Sequence, residues 1–349
     1  MKEVKYANPK NIIWIQTAFI GDVILTTAAA RALKKLRPDV KQVFITTPVG
    51  KMALKNTKLF DEVISYNKKG KSIELKSVIT QIAEMNFPSV ETIILQPHKS
   101  IRSSILASKL GFQKITYEET IGHRNAVALL PRVSFLHEAE RIKLLLEPLG
   151  ISREASKPFK PYLDYIKSER ITSLLESDSE YIAIAPGSVW ATKKWQIEGY
   201  LDLARKILAE TSFKIVIVGS KAEQDDASYI LKGLFDDERR KVVNLVGMTS
   251  LEDLRAVYPK IKALISNDSS PIHYASAFNV PTVSVFGATK PAMGFGPLAE
   301  KSRVVEISGL ECRPCSDHGP KVCPLRHFSC MKKIASDEVF TAVLSVLQG

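Results

Sequence analysis

No run of eighteen residues in this 349-residue chain is free of both charge and turn formers, so no membrane-spanning helix is expected. The opening MKEVKYANPKNIIWI lacks an apolar segment followed by a small-residue cleavage site, and the cytoplasm is the expected compartment. Low-complexity tracts and internal repeats are missing, which excludes a disordered chain or a solenoid. Neither half opens on the G-x-G-x-x-G turn of a dinucleotide-dependent oxidoreductase, and the P-loop pattern G-x-x-x-x-G-K-[ST] is absent. No D-x-D pair is present to hold a metal against a nucleotide-sugar diphosphate. Any bound diphosphate must then be neutralised by lysine and backbone amides.

The chain suits two domains of ordinary size, with 45% hydrophobic and 25% charged residues. Its formal charge of +12 is unevenly placed. Residues 1–165 carry 26 Lys+Arg against 15 Asp+Glu, a balance of +11, and the remaining 184 carry 23 against 22, a balance of +1. The basic half therefore suggests a polyanionic partner: nucleic acid, an anionic membrane surface or an acidic glycolipid. The first of these is not expected, because no basic segment interleaved with aromatics and no nucleic-acid motif is present.

Residues 261–287, IKALISNDSSPIHYASAFNVPTVSVFG, read as a βαβ unit. An apolar strand over 261–265 leads into the turn Asn267-Asp268-Ser269-Ser270, a helix over 271–278 and a second strand over 281–286. Asp268 or Ser269 suits the N-cap and Pro271 the first turn, so free N–H groups await an anion there. His273 falls on the same turn, and Gly287-Ala288-Thr289 forms a second polar strand end beside it.

The same alternation runs through both halves. A strand over 12–15 ends in Gln16–Asp22 before a helix over 23–36, with Gly21 allowing a close turn and Asp22 either capping the helix or offering a carboxylate at the sheet's mouth. Strands over 43–46, 63–65 and 92–95 and a helix over 73–85 follow, then a helix over 135–149 and a polar, proline-containing linker over 152–161. The second series comprises a strand over 181–185, the loop 186–194, a helix over 196–210, a strand over 213–218, a loop bearing Glu223, a helix from 225 to 235 and a strand over 242–245. The expected fold is α/β: two Rossmann-like, doubly wound domains facing a central cleft, over 1–165 and 166–349, with the last helix free to pack back on the first. In the loop, Ser188 and Thr192 offer hydroxyls and Lys193 a point charge suited to a diphosphate.

Four pieces in this order resemble glycosyltransferase family 9, the bacterial lipopolysaccharide heptosyltransferases, and above all the second heptosyltransferase. They are the Gly21-Asp22 turn, His137-Glu138-x-x-Arg141, Pro186-Gly187 leading to Lys193-x-Trp195, and Asn267-Asp268-Ser269-x-x-x-His273. Ser270-Pro271 stands where the family usually has glycine, and Gln196 where proline is common. The resemblance implies the GT-B fold and inverting transfer of heptose from ADP-heptose to the anionic lipid A-core acceptor, by a cytoplasmic enzyme contacting the inner membrane. It makes Asp22 the general base on the acceptor hydroxyl, assigns the diphosphate to Lys193, the donor's phosphates and heptose to Asp268, Ser269, Ser270 and His273, and the adenosine ribose to Glu223. No cofactor is required for that chemistry. Rival readings are a related transferase with another nucleotide sugar or acceptor, a nucleotide-sugar epimerase, and a basic polyanion-binding protein.

All four cysteines, Cys312, Cys315, Cys323 and Cys330, fall in one run with His318 and His327 among them. That spacing suggests a structural zinc, set against reduced thiols or a disulfide.

Overall fold

The computed structural model describes residues 8–348 apart from 69, 71 and 177; the first seven residues of the stretch read above for a leader lie outside the described residues. The chain divides into two compact units, Met1–Asp164 and Tyr165–Gly349.

In the first unit β1 (Asn11–Gln16), β2 (Lys41–Thr46), β3 (Glu62–Ser65), β4 (Thr92–Gln96), β5 (Gln113–Tyr117) and β6 (Ala126–Leu130) form one parallel sheet in the order β3-β2-β1-β4-β5-β6. In the second, β7 (Tyr181–Ala185), β8 (Lys214–Ile217), β9 (Val242–Asn244), β10 (Ile261–Asn267), β11 (Thr282–Phe286) and β12 (Ser302–Glu306) repeat that topology as β12-β11-β10-β7-β8-β9. The largely apolar strands β1, β4, β7 and β11 are buried at every residue, as strands covered by helices on both faces must be. Chain order reverses between β1 and β4 and between β7 and β10. At such a switch point the crossover loops diverge and leave a crevice at the strands' carboxyl ends, the usual place for a ligand.

The expected elements form, with shifts of a few residues at their ends, and the sequence pattern missed several others, among them β5, β6, β12 and the helix Ile101–Leu110. β6 and β12 are sheet edges, only partly buried; β12 (SRVVE) is bounded by polar and charged residues, whereas β6 (AVALL) is apolar throughout and was passed over. β5 hides Lys114 in its interior, which breaks the apolar signature. The helix expected over 135–149 is shorter: Glu138–Leu144, capped by His137, whose Nδ1 accepts the Ala139 N–H at 3.2 Å.

Two further expectations meet the packing. The last helix, Ser336–Gln348, places Val339, Phe340, Val343 and Val346 in the core of the second unit's own sheet. The polar segment 152–161 is not a free linker. Buried Lys143 pairs with Glu140 at 2.6 Å and donates to the carbonyls of Ser156, Lys157 and Phe159 at 3.1, 3.2 and 3.3 Å.

Lys143→Met keeps the stem and removes the ammonium, leaving three carbonyls in a tight fold without a donor. The first unit is expected to lose about 2 kcal/mol or more, read as a lower urea midpoint.

Candidate functional site

In the second unit the site is built around Asp268, the residue after β10. Burying a carboxylate is costly unless it is paired and hydrogen-bonded. Asp268 has both: Lys193 Nζ lies 2.7 Å from Oδ2 and the Thr289 hydroxyl donates to the same oxygen at 2.5 Å. Lys193 comes from the loop after β7 and Thr289 from the loop after β11, so three strand-end loops meet on one charge.

The side chain of the neighbouring residue fastens the loop after β7 through that loop's backbone groups. Asn267 Oδ1 accepts the Trp195 N–H at 2.9 Å, and its Nδ2 donates to the Pro186 carbonyl at 2.7 Å and the Gly187 carbonyl at 3.3 Å. The Ser269 hydroxyl also donates to the Gly187 carbonyl, at 3.3 Å. Neither Asp268 nor Ser269 caps the following helix. The N-cap of Pro271–Phe278 is Ser270, in right-handed helical geometry and with no side-chain cap bond, because Asp268 is drawn to Lys193 and Ser269 to Gly187. His273 is buried one turn into that helix.

The remaining expected residues are also in place, several with structural duties. Ser188 Oγ accepts the Trp190 N–H at 3.3 Å, and the buried Thr192 hydroxyl donates to the Pro320 carbonyl. Glu223 Oε2 accepts the N–H and hydroxyl of Ser220 at 2.7 and 2.8 Å, forming a capping box at a one-turn helix. Its side chain lies against Gly187, where a Cβ would stand 2.5 Å from Glu223 Cγ. Only glycine leaves that room. Lys194, the last residue of the loop 186–194, is held by Asp226 at 2.6 Å.

Sequence reasoning missed Arg313. From a buried position it donates to the carbonyls of Gly287, Ile307 and Thr289, the last two at 2.7 Å each, and pairs with Glu306 at 2.7 Å. Together with the Cys315 N–H on the Ala288 carbonyl at 2.8 Å, this clamps the loop that bears Thr289. The cysteine segment therefore braces the site. Its thiols are free, with Cys330 buried and the other three half-buried, and burial pushes the Cys315 and Cys330 thiols up. Among the described residues no group of three or more His, Cys, Asp or Glu side chains is placed to hold a metal ion, so this arrangement does not fit the structural zinc. The only cue to Arg313 was its place between Cys312 and Cys315.

In the first unit the site gathers at the β1 and β4 ends. Asp22 lies in the first turn of the helix Ile20–Leu36, not at its cap, which is Phe19. Its carboxyl is pushed up to about 7, mainly by burial and next by the negative charge of Glu138, while Arg132 and the Phe19 and Asp22 backbone pull the other way. Part of its surface stays open to solvent, so the crowding is local. Glu138 itself is a buried carboxylate shared by Arg132 at 2.7 Å and Arg141 at 2.8 Å, and Arg141 is pinned by donating to the carbonyls of Val133 and Ser134. His98, after β4, is pushed down to about 4 by burial, with Lys68, Arg132 and Lys99 adding to the effect, so it is neutral at pH 7. Its Nδ1 lies 3.4 Å from the Thr17 hydroxyl, which is 2.7 Å from Ser103 Oγ, and Lys68 donates to the Thr17 carbonyl at 2.7 Å. His98 was legible only as a polar residue after the strand over 92–95, and Arg132 was missed.

Two stability measurements follow. Lys193→Ala strands the Asp268 charge, so each single alanine variant at these positions is expected to cost about 1–3 kcal/mol and the double variant clearly less than their sum, read by denaturant unfolding. For Asp22, the native pKa of about 7 exceeds its ordinary 3.8, so the native chain holds a proton there between those values that the unfolded chain has released. That contribution to stability therefore falls as pH rises through the window. Asp22→Asn is expected to flatten the fall and to melt no lower than the parent at pH 8.

Residues 119–325 match the family described as glycosyltransferase family 9 (heptosyltransferase). The chain is 29% identical over 178 residues to a lipooligosaccharide heptosyltransferase 2 of Campylobacter jejuni, a match covering 50% of this chain and about half, 54%, of that one. It is 23% identical over 332 residues to the enzyme of that name from another Campylobacter jejuni serotype, covering 93% and 95%. Among solved structures, an E. coli ADP-heptose lipopolysaccharide heptosyltransferase II superposes with a TM-score of 0.78 at 20% identity, over 97% of this chain and 98% of that one. With more than half its length inside the matched region and both sheets in place, the chain belongs to glycosyltransferase family 9.

Proposed function

We propose that this protein is an inverting glycosyltransferase that moves heptose from ADP-heptose to the inner core of lipopolysaccharide, in the manner of a second heptosyltransferase. The observation that carries the reading is Asp22: a carboxyl at the first sheet's switch point, crowded by its surroundings and by Glu138 to a pKa near neutrality. A sugar hydroxyl is a weak nucleophile, and a base helps most when its pKa lies near the working pH. Asp22 would take the acceptor hydroxyl's proton as the new glycosidic bond forms at the anomeric carbon and the bond to ADP breaks with inversion.

The leaving group asks for the opposite chemistry. ADP departs with its negative charge on the diphosphate, and in this reading Lys193 swings from Asp268 to meet it, together with the N–H groups after β10. Asp268, Ser269, Ser270 and His273 would bind the donor's phosphates and heptose, with Ser188 and Thr192 lining the loop and Glu223 near the ribose. Solved relatives carrying ADP and ADP-2-deoxy-2-fluoro heptose support this choice of donor; they share the fold, with TM-scores of 0.72 and 0.71. The basic surface of residues 1–165 suits an acidic core acceptor at the cytoplasmic face of the inner membrane. Among the described residues no helix is long and apolar enough to cross a membrane, so that contact would be peripheral.

The test is incubation with ADP-heptose and a heptose-deficient core acceptor, followed by mass measurement of the product. Gain of one heptose supports the reading, and an unchanged acceptor with full ADP binding refutes it. Turnover is expected to rise with pH through about 7, as Asp22 loses its proton. Asp22→Asn is expected to lower kcat by about 10²–10⁴-fold while binding ADP normally in a calorimeter. A variant with parental turnover would leave Asp22 as a helix residue only.

A further inference from the structure

The helix Ile101–Leu110 has two unlike faces. Ser103, Ser104, Leu106 and Ala107 are buried, and Ser103 and Ser104 bond to Thr17 and Gln96 at 2.7 and 2.9 Å, beside His98. On the other face Ile101 and Ile105, one turn apart, are 55% and 46% exposed, and Ile121 of the β5–β6 loop is 58% exposed. The three isoleucines line one groove of about 280 Å3, walled also by Lys109 and Arg124.

This apolar face does not come from a loose loop. Lys114 reaches through β5 to donate to the Gly122 carbonyl at 2.5 Å, its backbone N–H donates to the Asn125 carbonyl at 2.9 Å, and Asn125 Nδ2 donates to the Gly111 carbonyl at 3.3 Å. A fixed patch with three exposed isoleucines among cations is uncommon on a protein surface without a partner. Its chemistry is that of an interfacial anchor, with apolar side chains for the acyl boundary and Lys or Arg for anionic headgroups. Lys99 and Arg102 extend the positive rim, Lys99 facing Glu119 at 3.0 Å, and the excess of +11 over residues 1–165 supplies the wider field.

We infer that this face docks the first unit onto an anionic lipid bilayer, with Ile101, Ile105 and Ile121 entering the headgroup boundary and Lys109 and Arg124 pairing with lipid phosphates. The helix is about 10 Å across, so docking on one face sets the His98–Thr17 end of the site about that far from the lipid surface. A lipid-borne sugar would then meet the site without leaving its bilayer. The placement deepens the proposed acceptor chemistry and rests on it only for this last step.

The test uses the full chain and vesicles of phosphatidylglycerol with phosphatidylcholine, holding neither donor nor acceptor. The parent is expected to sediment with them and to leave pure phosphatidylcholine largely unbound. Ile101→Ser, Ile105→Ser and Ile121→Ser together are expected to lower partitioning by about tenfold or more, with unchanged melting temperature and ADP affinity. Ile73→Ser with Val90→Ser, exposed elsewhere on the unit, serves as the control and should bind as the parent. Lys109→Gln with Arg124→Gln should weaken binding and flatten its dependence on salt. Parental binding by the triple serine variant overturns the inference, as does binding that appears only when the vesicles carry the core acceptor, which would make the groove an acyl-chain pocket. Because the assay involves no transfer, failure of the proposed reaction leaves its result untouched, and a working transferase whose triple variant still binds vesicles refutes the docking face alone.

Discussion

A carboxylate removed from water needs partners, and Asp268 finds them in two other loops. Lys193 arrives from the end of β7 and Thr289 from the end of β11, so neutralising one charge fixes three strand ends against one another. Asn267 repeats the device with backbone groups, tying Trp195, Pro186 and Gly187 to the end of β10. The arrangement stores a lysine where an anionic ligand would want one. On the proposed reading Asp268 keeps that ammonium in register for the donor's diphosphate, so that no flexible side chain has to be ordered from solvent.

The first unit applies the opposite electrostatics to its own carboxylate. Burial raises the pKa of Asp22, and the charge of Glu138, though saturated by Arg132 and Arg141, adds to that rise. A carboxylate that is fully paired makes a good staple and a poor base, and one left short of partners makes the reverse. In the proposed reaction Glu138 and Asp22 divide those roles. Burial, aided by the cations around it, keeps the His98 ring neutral, so it can exchange hydrogen bonds with Thr17 without adding charge to the site.

The cysteine run has a different meaning from the one its spacing suggests. Four thiols in nineteen residues invite a metal, but the segment is held to the sheet by Arg313 on the Gly287, Thr289 and Ile307 carbonyls, by the Thr192–Pro320 bond and by the stacking of Trp190 on His318 at 6.5 Å. It is a strap across the loops that carry Lys193 and Thr289. Thiols raised by burial stay protonated and act there as small apolar side chains.

What the sequence determined by itself was everything carried by local pattern. Unbroken apolar runs such as IIWI and YIAIA can be satisfied only in a strand covered on both faces, and alternating them with helices dictates a doubly wound sheet, so the fold and the loops bearing Asp22, Lys193 and Asp268 were legible. The edge strand β12 and the Ile101–Leu110 helix were not, since part of each faces water and its composition is mixed. Tertiary structure alone decided the partners. Asp268 reads as a helix cap until Lys193, 75 residues earlier in the chain, is folded beside it, and nothing near Arg313 in sequence announces the carbonyls it gathers. Charges interact through space, not along the chain, and the pKa of Asp22 depends on Glu138 in another helix. A residue type can be read from the sequence, but its protonation and its partner belong to the fold.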